Sequence, residues 1–297
     1  MIYIFRNERS TGARFLAEAL NGRRIIDSRT LLRLVRPNDT VVCWGSTIEG
    51  LPAGVRTINN VTLHNKFTDA VRLREADVPT IEVSRERPVQ QTTQAPDPLP
   101  NIWEDAQGAV EAFLDVQPVR TPVAVGAVGE LVALLQRVHQ AMQTPPPPPV
   151  AVMQGEWLPR DANHVGGTDL ITPPQRPDFW VKKETLIREY RVHSFGGRSI
   201  RGGVKVPREG VATPHEWVRS WDGGWRISYA DGAIHQAQRD IAHQAVQALG
   251  LTFGAVDIGQ KADGSMLVLE VNRAPGLEGG TPEAYARAIN RWVEEQR

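Results

Sequence analysis

One cysteine, Cys43, is all the thiol this 297-residue chain has. That excludes an internal disulfide and every metal site built from a cysteine cluster. Charge of one sign is missing too, because 34 Lys and Arg stand against 34 Asp and Glu. A neutral chain is poorly suited to coat a nucleic acid or an anionic membrane, so any phosphate chemistry must be local. Long hydrophobic runs are absent. The longest apolar tract, residues 122–135, is interrupted by Glu130 and is too short to cross a bilayer. The opening stretch from Met1 to Phe5 is too short for a signal peptide, since Arg6, Asn7, Glu8 and Arg9 follow at once. The expectation is a cytoplasmic protein with no membrane partner. No Walker A sequence, G-x-G-x-x-G, H-E-x-x-H or G-x-S-x-G occurs, which removes the P-loop, the dinucleotide turn, the zincin helix and the nucleophile elbow.

What is present is an ordinary globular composition, 41% hydrophobic and 23% charged, over a length that suggests about two domains. The first 80 residues alternate short apolar runs with amphipathic stretches. Strands are expected at residues 2–5, 25–26, 41–44, 55–58 and 81–83, and helices at 10–20, capped by Ser10 or Thr11, and 65–76. This is the pattern of a small parallel sheet. Residues 84–150 then hold 11 of the 22 prolines together with many Gln and Thr, and read as an insert with a polyproline II spacer at 145–149 and one helix at 129–143. Two long amphipathic helices follow, at 233–249 and from Thr281-Pro282, where proline suits the first helical position.

Three segments carry chemistry. In the first, residues 253–259 and 266–272 are apolar strands around Asp263-Gly264, a dipeptide that suits a two-residue type I′ turn. Counting back from that turn puts Asp257 opposite Glu270, with Asn272 on the same face. Opposed carboxylates repel, so they need a shared proton or a cation, and hard oxygen ligands suit Mg²⁺ completed by phosphates. An ordinary solvent-facing hairpin with incidental acids is the plain alternative. In the second, residues 182–208 hold eight Lys or Arg against two Glu, a local excess of +6. Within it, Glu189, Arg191 and His193 alternate with Tyr190 and Val192, so one strand face is polar. After the turn at Gly196-Gly197, a three-residue loop places Lys205 opposite Glu189, whereas a two-residue loop sends it to the other face. The functional reading is a phosphate clamp with Glu189 accepting from sugar hydroxyls; the plain one is an exposed basic hairpin. In the third, Arg160 precedes a loop containing Gly166-Gly167, whose backbone N–H groups could cover phosphates. Trp217, Trp221 and Trp225 flank Asp222-Gly223-Gly224 and read as a hairpin with aromatic packing.

Taken in order, the glycine loop, the basic Glu189-x-Arg191 strand, Asp257 and Glu270-x-Asn272 resemble the ATP-grasp superfamily. The run Glu270-Val-Asn-Arg-Ala-Pro-Gly-Leu-Glu-Gly is similar to the closing motif of its carboxylate-amine ligases. Glu189-Tyr-Arg-Val-His-Ser-Phe-Gly-Gly is similar to the branch of ribosomal-protein glutamate ligases and phage-type relatives. The resemblance covers about residues 150–297. It implies an α/β (α+β) ATP-grasp fold, with a Rossmann-like domain at 1–64, a lid at 65–183 carrying the insert 84–150, and a core antiparallel-sheet domain at 184–297. It also implies ATP and Mg²⁺, with Asp257, Glu270 and Asn272 as metal ligands and Glu189 on the ribose. Lys182, Lys183 and Glu184 then stand at the adenine hinge, and Arg191 and Lys205 face the phosphates and the acyl-phosphate. The usual lid-strand lysine is absent, and Arg160 is its candidate replacement.

The implied reaction is phosphorylation of a substrate carboxylate, then attack by an amine, forming an amide with release of ADP and phosphate. Partners would be small-molecule or peptide carboxylates and amines, with no nucleic acid. Arg273, next to Asn272 at the strand end, is suited to hold the substrate acid or to cap loop carbonyls. Two other classes compete: a catalytically silent nucleotide-binding or scaffold protein, and a metal-dependent nuclease. The nuclease hairpin typically wants lysine where Asn272 stands.

Overall fold

Strand β1 (Ile2–Phe5) runs between β2 (Arg23–Ile25) and β3 (Thr40–Cys43), and β4 (Arg56–Ile58) lies beyond β3; all three pairings are parallel. Helix α1 (Thr11–Ala19) makes the first crossover and is capped by Ser10, whose Oγ accepts from the Ala13 N–H at 3.2 Å. Helix α2 (Ser28–Leu34), capped by Asp27, makes the second. Alpha2 has no counterpart in the sequence reading, because Ser-Arg-Thr-Leu-Leu-Arg-Leu is too short to show a clear helical period. The two inner strands, β1 and β3, are buried on both faces, whereas Arg23 and Arg24 of the edge strand β2 are exposed. Tyr3, Phe5, Val41 and Cys43 pack with Leu31 of α2, while Ile4, Val42 and Trp44 turn the other way.

The computed structural model describes residues 1–88, 157–162, 169, 173–230 and 234–297. The expected spacer at 145–149, the helix at 129–143 and the glycines Gly166 and Gly167 lie outside the described residues. The rest belongs to one compact unit formed by Met1–Pro88 with Glu156–Arg297.

The largest sheet has the order β10-β9-β8-β11-β12 and is antiparallel throughout. Its strands are β8 (Arg188–Phe195), β9 (Arg198–Pro207), β10 (Trp225–Ser228), β11 (Phe253–Gln260) and β12 (Met266–Asn272). One face is apolar: Tyr190, Val192, Val256, Ile258 and Val268 pack under Ile241, Ala245 and Val246 of α4 (Gln236–Ala248). The opposite face is split. Its Phe195–Phe253 end is sealed by Trp44 and by Tyr285 and Ile289 of α5 (Thr281–Glu295), with the Trp44 and Phe253 rings stacked at 5.0 Å. Its Glu189–Asp257 end is left open as a cleft.

A third, three-stranded sheet of β5 (Val83–Ser84), β7 (Phe179–Lys182) and β6 (Trp157–Arg160) faces that cleft. It packs through Val83, Phe179 and Val181 on Ala70 and Phe67 of α3 (Lys66–Glu75). Alpha3 touches both bodies, because Leu73 on its other side enters the core under α4. Residues 79–81 tie this assembly to the main sheet, where the Val268 N–H donates to the Pro79 carbonyl at 2.7 Å and the Ile81 N–H to the Val268 carbonyl at 3.0 Å.

The tryptophan segment departs from the expected hairpin. Residues 208–224 form a loop, with a tight turn in which the Trp225 N–H reaches the Ser220 carbonyl at 2.9 Å, and only Trp225 enters a strand. Gly223 is required there, since a methyl group on it would run into the Val218 carbonyl oxygen. Gly223→Ala is expected to lower stability by about 1–3 kcal/mol, the cost of overpacking a site closed by backbone. A shift in the chemical-denaturation midpoint measures it; wild-type stability would mean that the loop relaxes freely.

Candidate active site

Both hairpins of the main sheet reach their functional register through a bulge. In the β11–β12 hairpin the connection is a three-residue loop, Ala262 to Gly264, with Gly264 at φ +85° and its N–H on the Lys261 carbonyl at 3.0 Å. That shifts the strands by one residue from the expected two-residue turn. Leu269 is then accommodated as an extra residue, and Asp257 still faces Glu270. The β8–β9 hairpin does the reverse. Gly196-Gly197, at φ +52° and +80°, makes the two-residue turn that alone would send Lys205 to the wrong face. A register shift beyond Ser194 and Ser199 takes up Ile200 and returns Lys205 to Glu189.

The outcome is an ionic lattice on the open face. Arg191 donates to Asp257 from Nε at 2.6 Å and from Nη2 at 2.7 Å, a bidentate fork. Lys205 donates to Glu189 at 2.9 Å and to Asp257 at 3.3 Å. Glu270 accepts from Lys66 at 2.8 Å and from the Asn272 amide at 2.9 Å. Burial works against ionisation of Asp257, but Arg191 and Lys205 outweigh it and hold the carboxyl below its usual range. Glu270 is likewise pulled down against its burial, chiefly by Lys66 and then by Arg191. Burial disfavours the Lys205 ammonium, yet Asp257 and Glu189 keep its pKa raised. These groups are therefore charged, and the floor of the site is a fixed alternation of signs.

The lattice floors a cleft of about 340 Å³. Its lining combines apolar side chains, among them Ile81, Val83, Leu158, Val181 and Leu269, with the charged Lys66, Glu189, Arg191, Lys205, Asp257 and Glu270. Lys182, Lys183 and Glu184 are on its wall as well. Their side chains have protein partners: Lys182 reaches Glu82 at 3.3 Å, Glu184 accepts from Lys261 at 2.7 Å, and the Lys183 ammonium lies 3.4 Å from the centre of the Trp217 ring. Arg160 borders the cleft from β6 and donates to Asp169 at 2.7 Å.

Asn272 and Arg273 are not part of the cleft lining. Arg273 donates from Nη2 to Asp69 at 2.6 Å and from Nη1 to the His64 carbonyl at 3.1 Å, so its fork is engaged by protein acceptors. Burial raises the pKa of Asp69, and Arg273 opposes that shift.

Lys66, Asp69 and Arg219 are the site residues that the sequence reading passed over. A signal for Lys66 existed. A cation in the first helical turn, after the Asn65 cap, opposes the helix dipole and calls for an anion from elsewhere, which Glu270 supplies. No comparable local signal marks Arg219, whose guanidinium approaches Glu189 at 3.6 Å from a long loop.

Beneath Arg191, His193 is fully buried with Nδ1 at 3.2 Å from the Tyr285 hydroxyl and Nε2 at 3.2 Å from that of Tyr229. Burial, helped by Arg191, pushes its pKa down to about 3, so it is a neutral strut rather than a proton carrier at neutral pH.

For a metal, the donor set is oxygen only. Among the described residues no group of three His, Cys, Asp or Glu side chains is placed to hold an ion. Asp257 and Glu270, which both line the cleft, are of the kind that Mg²⁺ takes, since it binds one or two carboxylates and completes its shell with phosphates and water.

No family model matches the chain. A probable alpha-L-glutamate ligase of Enterobacter is 39% identical over 118 residues, which are 37% of this chain and 38% of that protein. The ribosomal protein bS6–L-glutamate ligase of Escherichia fergusonii is 35% identical over 118 residues, with the same shares. The matched stretch is thus well under half the length of these curated relatives. The fold is similar to that of the ATP-grasp ligase PsnB. The structure with its minimal precursor aligns with a TM-score of 0.54 at 14% identity over 98% of both chains, and that with a phosphomimetic variant of the minimal precursor, Mg and ADP with 0.50 at 13% identity over 98% of both. The protein has the ATP-grasp fold.

Two consequences can be measured. Arg273→Ala leaves the buried Asp69 without its counter-ion and is expected to cost about 3–5 kcal/mol in denaturant unfolding; an unchanged midpoint would show that the pair contributes nothing. His193 binds its proton at about 3 in the folded state and near 6.5 when unfolded. Its contribution is therefore complete above pH 6.5 and is lost as pH falls towards 3, with a slope of about 1.4 kcal/mol per pH unit. Unfolding free energies between pH 6.5 and 5 should fall along that slope in wild type and flatten in His193→Gln, and equal slopes would contradict a buried neutral His193.

Proposed function

We propose that this protein is an ATP-dependent carboxylate–amine ligase that forms an amide or peptide bond through an acyl-phosphate and releases ADP and phosphate. The observation that carries the reading is the opposed pair Asp257 and Glu270, held ionised among Lys66, Arg191 and Lys205 on the floor of a cleft that also has apolar lining. A buried carboxylate and a partly buried one, with three partly buried cations, are an arrangement for a polyanion and its counter-ion, whereas a fold-stabilising core would more cheaply be apolar. The ATP-grasp fold and the local similarity to glutamate ligases support the same chemistry.

In this reading the apolar lining takes the base, Lys182 to Glu184 offer backbone groups to it, and Glu189 accepts from the ribose. Gly166 and Gly167, with Arg160, serve as the lid over the phosphates. Mg²⁺ held by Asp257, Glu270 and Asn272 would neutralise phosphate charge. Arg191 and Lys205 face the transferring phosphoryl group and stabilise charge that grows on its oxygens as the substrate carboxylate attacks. An amine brought beside the acyl-phosphate then displaces phosphate, the entropy of the encounter having been removed by binding. The substrates in this proposal are a small-molecule or peptide carboxylate and an amine, and Arg273 is kept as the candidate partner of the acid only if its pairing with Asp69 opens.

The direct test is ADP release with Mg²⁺ and ATP on adding candidate amino acids and peptides, with hydroxylamine replacing the amine to trap the acyl-phosphate as a hydroxamate. Glu270→Gln is expected to remove Mg²⁺-dependent turnover and Lys205→Ala to cut kcat by about 100-fold or more. ATP binding with no ADP or hydroxamate from any carboxylate would leave the silent nucleotide-binding protein as the better description. Turnover by Glu270→Gln at the wild-type rate in saturating Mg²⁺ would remove Glu270 from the metal site.

A further inference from the structure

Apart from the cleft, a groove of about 310 Å³ runs between α5 and the β8–β9 turn, and the two share no lining residue. Its α5 wall is Ala284, Arg287, Ala288, Arg291, Trp292 and Glu295, which recur at steps of three and four residues and so form one stripe about 16 Å long. Ile200, Ala288 and Trp292 in the lining are half-buried and pack on the core around Phe195 and Phe253, whose stacked rings lie 6.0 Å apart. Three cations border this apolar strip. Arg287 and Arg291 come from α5 and Arg198 from the start of β9; all three are exposed, and among the described residues no carboxylate pairs with them. Glu283 before Arg287 and Glu295 after Arg291 stand at the i, i+4 spacing at which such residues pair on a helix, yet neither pair forms.

Three guanidinium groups and one carboxylate around an apolar strip call for an anion that also carries hydrogen-bond donors. A phosphate backbone has the charge but no donor for Glu295. An acidic peptide has both, carboxylates for the arginines and backbone N–H groups for Glu295. The spacing agrees. Arg287 and Arg291 are one turn apart, about 6 Å along the helix, and side chains on one face of an extended peptide repeat every 6.6 Å or about that. The whole stripe matches about five extended residues. Trp292, set among the arginines, is of the residue type on which interfaces concentrate binding energy.

We propose that the groove between α5 and the β8–β9 turn docks an acidic segment of a polypeptide partner in extended form, with Arg287 and Arg291 taking carboxylates two residues apart and Arg198 taking a third from the β9 side. The Phe195 end of β8, which lines the groove, is about 20 Å along the strand from Glu189 on the ionic floor, so this inference goes beyond the ligase reading and does not rest on it.

Fluorescence anisotropy of the full chain with fluorescein-labelled hexaglutamate, and with hexaglutamine as the neutral control, reads the contact. Hexaglutamate is expected to bind and hexaglutamine not, with the affinity falling severalfold as NaCl rises from about 50 to about 300 mM. The double variant Arg287→Gln/Arg291→Gln should weaken hexaglutamate by about tenfold, the worth of two exposed ion pairs, and Arg198→Gln by about threefold. The replaced side chains are exposed, and the unfolding midpoint of each variant checks that its fold is kept. No binding of hexaglutamate by wild type, equal binding of hexaglutamine, or wild-type affinity in both variants overturns the proposal. So does a single-stranded oligothymidylate that binds more tightly than hexaglutamate and is lost in the double variant, which would give the groove to nucleic acid. Sedimentation equilibrium adds a last arm: the same mass is expected in wild type and the double variant, and a wild-type dimer that the double variant dissolves would give the groove to a second copy of the chain instead.

Discussion

Two like charges facing each other across a pair of strands are the constraint to which the rest of the site answers. Asp257 and Glu270 occupy one register position of the β11–β12 hairpin; Asp257 is buried, Glu270 partly so, and both are ionised. That is tolerable only because cations arrive from three separate elements: Arg191 from β8, Lys205 from β9 and Lys66 from α3. Taking one partner away would leave a buried charge uncompensated, a penalty of several kcal/mol. The lattice is thus a strong reason for β8, β9 and β11 to keep a single register, since a slip of one residue would turn every one of these side chains into the apolar layer under α4.

Alpha3 has a double role for the same reason. Its Ala70 side supports the small sheet, its Leu73 side enters the main core, and its first turn sends Lys66 and Asp69 to Glu270 and Arg273 at the end of β12. Packing and electrostatics therefore run through the same ten residues. The cleft lies between the small sheet, which is joined to the main sheet by residues 79–81 along β12, and the ionic floor.

The long loop before β10 illustrates a different economy. Large aromatic side chains usually disappear into a core, and here Trp225 indeed braces the loop from within. Trp217 and Trp221 instead carry cations on their faces, Lys183 at 3.4 Å and Arg208 at 3.8 Å, and remain exposed. Cation–π contacts of this kind hold a ring in place without hiding it.

Much of the fold was legible in the amino-acid sequence because it rests on short-range pattern. The alternation at Glu189-Tyr190-Arg191-Val192-His193 and the apolar run into Glu270-Val271-Asn272 specify strands with one chemical face. The Ser10 cap, the helical stretch from Asn65 and Thr281-Pro282 mark helix starts that the structure reproduces within a residue. From such strands the sequence alone determined that Asp257 faces Glu270 and that a basic strand pair would lie nearby. It did not determine how. The β11–β12 turn is one residue longer than expected, the β8–β9 turn is the shorter of the two lengths the sequence left open, and in each hairpin a bulge, at Leu269 and at Ile200, restores the facing pair. A bulge is chosen by which side chains the two completed faces can bury, and no local window contains that information. The same holds for Lys66 against Glu270, 204 residues apart, and Asp69 against Arg273, also 204 apart. A charge declares its sign in the sequence, but its partner is whichever opposite charge the packed elements leave within reach, and only the tertiary structure decides that.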